Sequence, residues 1–245
     1  MDFTGKVVLI TGASVGIGWA AALRFAQLGA KLSLLDINME QLEKVKTKLA
    51  PYTQDVLIFH CDVSNEAQVK QAVAVTLQAF GQIDVLVNNA ALWRNVQPFG
   101  ETPDDIWKTY WEINVMGVVY CTRAVLPGML ERKSGSIVNV ASVAGVYGNA
   151  NIACYSATKG AVIALTQALA KEVATQGVRV NAVSPGTVSS SAVEDIQHTT
   201  PNPLSYMGRS GSDLENANTI CFLASDDVPY LSGQNLQVDG VRKQI

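Results

Sequence analysis

The chain has 245 residues, 48% of them hydrophobic, and its 18 basic and 21 acidic side chains leave a formal net charge of -3 with no run of like sign. That length can bury the core of one α/β domain spanning 1–245. The slightly acidic balance gives no electrostatic footprint for nucleic acid or an anionic membrane. Four cysteines without CxxC spacing and only two histidines argue against a zinc site, a disulfide scaffold or a His-rich metal centre. The first residues lack the basic and then apolar pattern of a signal peptide. Apolar runs such as those at 7–10 and 85–87 are too short to span a bilayer. The expected setting is the reducing cytoplasm.

In chain order, strand-like runs at 6–11, 31–35, 56–60, 83–88, 135–140, 178–183 and 235–238 alternate with helix-like stretches at 17–28, 39–50, 66–80, 103–131, 155–175 and 212–224. Strands that read as continuous Val/Ile/Leu runs are covered on both faces. The alternation predicts βαβ units and a doubly wound parallel sheet, Rossmann-like, of about seven strands with helices on both faces. Residues 187–211 break the regularity with Ser, Thr, Asn and Pro, and read as a substrate lid, with disorder as the alternative.

Between the first strand and helix lies Thr11-Gly12-Ala13-Ser14-Val15-Gly16-Ile17-Gly18. Glycines permit a tight turn and let the backbone approach a ligand, and a helix N-terminus offers free N–H groups to a pyrophosphate. The spacing is GxxxGxG, which departs from the usual GxGxxG fingerprint. Asp36 closes the second strand, where a carboxylate accepts from ribose hydroxyls and repels a 2′-phosphate. Asn38, with Gln41 three residues on, is the better helix cap, which leaves Asp36 for that task. Val15 and Ile37 offer no cation to a 2′-phosphate. NAD is therefore expected over NADP.

Tyr155 and Lys159 are four apart and share one helix face. Phenol is a poor base near neutrality, and an adjacent ammonium favours its phenolate. Ser142, upstream, is a hydroxyl able to hold a carbonyl or alcohol oxygen before that phenol. Asn114, a mediocre helix former inside 103–131, needs a reason to be there, and a buried structural hydrogen bond is one.

Together these residues resemble the short-chain dehydrogenase/reductase family, from Lys6 to Gly240. Thr11–Gly18 is similar to its TGxxxGxG cofactor loop, and the resemblance implies cofactor contacts at Gly12, Ser14, Gly16, Ile17 and Gly18. Asp62-Val63 is similar to its adenine-contacting pair. Asn88-Asn89-Ala90-Ala91 resembles NNAG, with Ala91 where glycine is usual. Pro185-Gly186 resembles the motif that contacts the nicotinamide, followed by Val188 and by Ser190 in place of threonine. The resemblance implies a tetrad in which Tyr155 is the general acid/base and Ser142 polarises the substrate oxygen. Lys159 would bind the nicotinamide ribose and lower the Tyr155 pKa, and Asn114 would hold a water leading to solvent. It also implies a homotetramer or dimer.

Trp93, Tyr147 and Asn149, with Ser142, are candidate pocket residues, whereas Trp111 is expected to pack helix against helix. Cys154 reads as a small core residue, having no histidine partner nearby. Arg242 and Lys243 read as solvated. The expected activity is NAD(H)-dependent hydride transfer with a secondary alcohol/ketone of polyol, sugar or hydroxyacid type. The alternatives are an NADPH-dependent 3-oxoacyl-thioester reductase and a non-catalytic dinucleotide-binding protein.

Overall fold

The alternating runs assemble into one parallel sheet in a computed structural model that describes residues 1–94, 96–189 and 195–243. Its strands are β1 (Val7–Thr11), β2 (Lys31–Asp36), β3 (Val56–His60), β4 (Val85–Asn88), β5 (Gly135–Val140), β6 (Val178–Pro185) and β7 (Asn235–Val238), in the order β3-β2-β1-β4-β5-β6-β7. The chain builds outward from β1 to β3, then returns to place β4 on the other side of β1. That reversal opens a crevice at the carboxyl ends of β1 and β4, where ligands bind in sheets of this kind.

Helices cover both faces. α1 (Gly16–Gln27) and α2 (Met39–Leu49) share a core with α8 (Asp213–Ala224), built on Trp19, Phe25, Leu42, Ile220 and Leu223. On the other face α3 (Glu66–Phe80), α5 (Gly117–Arg132) and α7 (Ala153–Val173) bury Val69, Val73, Cys121, Val125 and Val173. The four cysteines are unpaired and buried, and burial pushes the Cys61 thiol up to about 11 and that of Cys221 to about 12.

The expected single helix over 103–131 is in fact three pieces in line: α4 (Asp104–Trp111), a π turn (Glu112–Met116) and α5. Together they make a 29-residue helix, Asp104–Arg132, long and apolar enough to cross a membrane by length and composition. The separate apolar runs did not reveal it. It lies instead along the sheet, with Cys121, Val125 and Met129 in the core. Trp111 does not pack between helices: it is 45% exposed and shares a surface depression with Trp107, Lys108 and Glu112. A short α6 (Val143–Tyr147), unforeseen because five residues show no period, follows β5 directly.

The described part of 187–211 is folded back on itself rather than extended. Ser189 Oγ lies 2.6 Å from Thr200 Oγ1 and 2.7 Å from Ser210 Oγ, and the Gly211 N–H donates to the Thr187 carbonyl at 2.9 Å. Arg209 clamps Glu215 of α8 with both terminal nitrogens, at 3.0 and 2.7 Å, which holds that carboxylate down to about 2.

Arg179 on β6 caps the other end of α8. Its terminal nitrogens reach the carbonyls of Leu223, Ala224 and Ser225 at 2.7, 3.0 and 2.9 Å. These are orphan acceptors of a helix end. Arg179→Met is expected to lower unfolding free energy by about 2–4 kcal/mol, since partly buried carbonyls lose charge-assisted donors. A urea melt with less than about 0.5 kcal/mol change would show that water replaces the guanidinium.

Candidate active site

The glycine loop adopts backbone that side chains resist. Gly12 and Gly16 have φ of 64° and 58°, in the left-handed region. A Cβ on Gly18 would lie 2.1 Å from the Gly12 carbonyl oxygen, so α1 sits directly on the loop. The amide of Asn89 donates to the carbonyls of Thr11 and Gly12 at 3.0 and 2.9 Å. Thr11 Oγ1 in turn accepts the N–H groups of Asn89 and Ala90, both at 3.0 Å. The Asn89 side chain thus braces the loop. Ala91 lacks a positive φ, so alanine replaces the usual glycine without strain.

Val15 stands at the N-cap of α1 and supplies no side-chain cap, and the first turn of the helix holds no acid. Such an uncapped N-terminus, with Ser14 and Ile17 flanking it, suits an anionic ligand. Asp36 is not left wholly free. Its carboxylate accepts from Ser14 N–H at 3.0 Å and Asn38 N–H at 2.9 Å, so it ties the glycine loop to β2. Asn38 caps α2 as expected, accepting from Gln41 N–H at 3.0 Å. A carboxylate has about four acceptor positions, so Asp36 retains two for hydroxyl donors.

Further round the crevice, Asp62 Oδ1 accepts from both the N–H and hydroxyl of Ser64, at 2.9 and 2.7 Å, while Val63 is buried against Gly117. Gly186, just beyond β6, packs so closely on Asp239 that a Cβ would lie 2.8 Å from its Cα. Val188 bridges to Gly211. Ser190 lies outside the described residues.

The end of β5 and the first turns of α7 place Ser142, Tyr155 and Lys159 near one another. Ser142 caps α6, accepting from Ala144 N–H at 3.1 Å. It is close enough to the Tyr155 phenol to favour its ionised form, yet burial outweighs that pull and holds the phenol above its ordinary value. This direction is opposite to the one expected from a neighbouring ammonium, and its cause is burial of the phenol. Lys159 Nζ sits 5.8 Å from the Tyr155 ring centroid and donates to the Val140 carbonyl at 2.7 Å. Lys159 is itself buried, which pulls it down to about 8.

That shift has a measurable consequence. Below pH about 8 folded and unfolded chains both carry the ammonium; between about 8 and 10.5 only the unfolded chain does. Stability from this group therefore rises with pH across that window. Lys159→Met is expected to lack this rise, on the order of 3 kcal/mol. Parallel wild-type and variant melts between those pH values check it.

Asn114 stands in the π turn, and its side chain is engaged. Oδ1 accepts from Leu92 N–H at 2.7 Å, while Nδ2 donates to the Leu92 carbonyl at 2.9 Å and Thr158 Oγ1 at 3.1 Å. Both donors are used, so the side chain is a clamp on the loop after β4. A π turn leaves backbone groups out of the regular ladder and recurs at functional sites. Thr158 was not singled out from sequence. Its hydroxyl donates to the Tyr155 carbonyl at 2.8 Å and links Asn114 to the tyrosine; its place inside Tyr155–Lys159 was the available signal.

Of the pocket candidates, Trp93 follows the clamped Leu92 and is 64% exposed. Tyr147 donates its hydroxyl to Gln237 Oε1 at 2.6 Å. Asn149 donates its N–H to Ser156 Oγ at 3.3 Å and accepts at Oδ1 from Arg242 at 2.7 Å. Arg242 is thus held against the pocket loop, contrary to the expected solvated end. Lys243 lies over the Tyr206 ring at 5.3 Å.

Comparison with known proteins agrees with this arrangement. The family model described as short chain dehydrogenase matches residues 6–201. The chain is 40% identical to a 3-oxoacyl-(acyl-carrier-protein) reductase of Thermotoga maritima, over 98% of both chains. It is 38% identical to a meso-2,3-butanediol dehydrogenase of Serratia marcescens, covering 98% of this chain and 95% of that one. The solved structure of an NAD+-bound xylitol dehydrogenase superposes with a TM-score of 0.91 at 35% identity, over 98% of this chain and 100% of the other. The chain belongs to the short-chain dehydrogenase family of oxidoreductases.

Proposed function

We propose that this oxidoreductase uses NAD(H) and moves a hydride between the nicotinamide and a secondary alcohol/ketone of polyol, sugar or hydroxyacid type. The observation that carries the reading is buried Lys159 held on the Val140 carbonyl at the end of β5, beside Tyr155 and its neighbour Ser142, with the uncapped α1 and Asp36 at the ends of the nearby strands. The backbone of Gly12–Gly18 would hold the pyrophosphate, Asp36 the adenosine ribose, Asp62-Val63 the adenine and Lys159 the nicotinamide ribose. Asn89, Ala90, Pro185, Gly186, Val188 and Ser190 complete this set. When bound, the cofactor supplies the hydride acceptor or donor. Tyr155 passes a proton to or from the substrate oxygen, and Ser142 steadies charge that develops there. Lys159 takes part in the proton path, and the π-turn backbone at Asn114 carries it towards solvent.

A panel of sugar alcohols, hydroxyacids and steroids with NAD, read by NADH absorbance, tests the reading. No turnover across the panel, with cofactor bound, would return it to a non-catalytic dinucleotide binder. The 3-oxoacyl reductase reading has one observation in its favour, the 40% identity to the Thermotoga maritima enzyme; it expects NADPH. Asp36 decides between them. Asp36→Ala is expected to weaken NADH binding by at least about 10-fold, since a carboxylate hydrogen bond contributes roughly 1.5–3 kcal/mol, and to narrow the gap to NADPH. Wild-type protein that binds NADPH more tightly than NADH would sink the NAD assignment.

The unpaired, buried cysteines support a reducing, cytoplasmic setting. Self-association as a tetramer or dimer is part of the same proposal, and sedimentation showing only monomer at micromolar concentration would remove it.

A further inference from the structure

We infer that Thr158 is a positioning residue for proton transfer: its hydroxyl ties the backbone of Tyr155 to the loop after β4, the loop assigned to the cofactor. This rests on the hydride-transfer reading and adds the contact that keeps proton donor and hydride carrier in register.

The side chain makes two bonds at once. Thr158 stands one turn beyond Tyr155 on α7 and is fully buried. Its Oγ1 donates to the Tyr155 carbonyl at 2.8 Å and accepts from Asn114 Nδ2 at 3.1 Å. A hydroxyl has one donor hydrogen and two lone pairs. The hydrogen goes to the tyrosine and a lone pair to the asparagine, and a valine of the same shape can supply neither.

From Asn114 the connection runs on into the loop. Its Oδ1 accepts the Leu92 N–H at 2.7 Å and its Nδ2 donates to the Leu92 carbonyl at 2.9 Å. Leu92 lies three residues beyond Asn89, whose amide braces the Thr11 and Gly12 carbonyls of the glycine loop at 3.0 and 2.9 Å. Both hydrogens of the Asn114 amide are therefore in use, one on Leu92 and one on Thr158. Without the Thr158 oxygen one of them loses its acceptor in a buried site, which is costly. The amide then turns in search of another acceptor, and its paired grip on Leu92 loosens.

The same chemistry recurs two turns further along α7, away from the tyrosine. Thr166 is also fully buried, donates to the Val162 carbonyl at 2.8 Å and accepts from Asn139 Nδ2 at 2.9 Å. The two threonines differ in what they fasten. Thr158 bonds the carbonyl three residues back, which is that of Tyr155, whereas Thr166 bonds the one four back, which belongs to a core valine. Thr166 is thus a matched control with equal hydrogen bonding and no bond to the tyrosine.

The test assays wild type, Thr158→Val, Thr158→Ser, Thr166→Val and Tyr155→Phe with NAD and whichever of xylitol, 2,3-butanediol and 3-hydroxybutyrate wild type oxidises fastest. Thr158→Val is expected to lower kcat by about 10- to 100-fold, the scale for a misplaced reacting group, with KM and NADH affinity within about three-fold of wild type. Thr158→Ser should restore kcat, and Thr166→Val should lower the melting midpoint while keeping kcat. Full kcat in Thr158→Val, an equal loss in Thr166→Val, or a serine variant as slow as the valine one overturns the proposal. If Tyr155→Phe keeps full turnover, or wild type oxidises none of the three, the hydride-transfer reading itself fails. Amide hydrogen exchange at Leu92, followed by NMR, reads the link without turnover. It should quicken by at least about 10-fold in Thr158→Val, as a local opening made easier, and stay at the wild-type rate in Thr158→Ser and Thr166→Val. Unchanged exchange in Thr158→Val overturns the proposal.

Discussion

Tyr155→Phe is expected to lower hydride transfer by roughly 10²- to 10⁴-fold, the range for loss of one positioned acid/base, with cofactor binding unchanged. The ring sits in a closed environment, its edge against Tyr110 at a centroid distance of 6.4 Å, so phenylalanine fills the same space. Only the hydroxyl disappears, and with it the proton that the proposed mechanism exchanges with the substrate oxygen. Because burial holds this phenol above its ordinary value, the protonated form needed for carbonyl reduction dominates near neutrality. Alcohol oxidation requires the phenolate, so its rate should climb with pH while reduction falls. Tyr155→Phe should flatten both profiles. Stopped-flow measurement of NADH formation and consumption across pH checks this, and wild-type rates in the variant would remove Tyr155 from the chemistry.

The second large effect is expected at Gly145. A Cβ there would lie 2.5 Å from the Lys159 carbonyl carbon and 2.6 Å from the Gly160 nitrogen. Both are backbone atoms, so nothing can rotate aside. α6 must move off α7, and Ser142, which caps α6, moves with it away from Tyr155. A displacement near 1 Å costs about 10²-fold in rate, and overpacking costs roughly 1–3 kcal/mol in stability. Gly145→Val should therefore lose at least about 100-fold in kcat with a lowered melting midpoint. Gly160→Ala is the contrasting case, because its Cβ would meet only the Gly145 carbonyl oxygen, at 3.3 Å; it should be mild. Full activity in Gly145→Val would show that this crossing does not set the site.

Much of this was legible in the sequence where local rules and the fold agree. The Val/Ile/Leu runs predicted the central strands because a strand covered on both faces must be apolar throughout, whereas the edge strands β3 and β7 are only part-buried. Asn38 declared itself as a cap by chemistry and spacing. Asp36 was placed correctly but given too little to do, since its bond to Ser14 N–H joins residues 22 apart and no local pattern encodes that. Asn114 was picked out as an uncomfortable helix residue, yet its partner Leu92 and the π turn follow from tertiary packing. The upward direction of the Tyr155 shift could not be read from spacing, which places a lysine nearby but says nothing of how deeply the phenol is buried. Trp111 and Arg242 failed for a shared reason: whether a side chain faces core, cavity or water depends on what folds back over it.

The pairing of α1 with α8 sets a schedule for building the molecule. α1 carries the glycine loop and buries Phe25 and Ala26 in a core completed by Ile220 and Leu223. Those partners arrive from the far end of the chain, after every strand except β7. While the chain emerges during synthesis, the proposed dinucleotide cradle of α1 and its glycine loop is complete in sequence yet lacks the wall behind it. The nascent protein should therefore gain affinity for cofactor in one late step, and a chain halted before Asp213 should bind none.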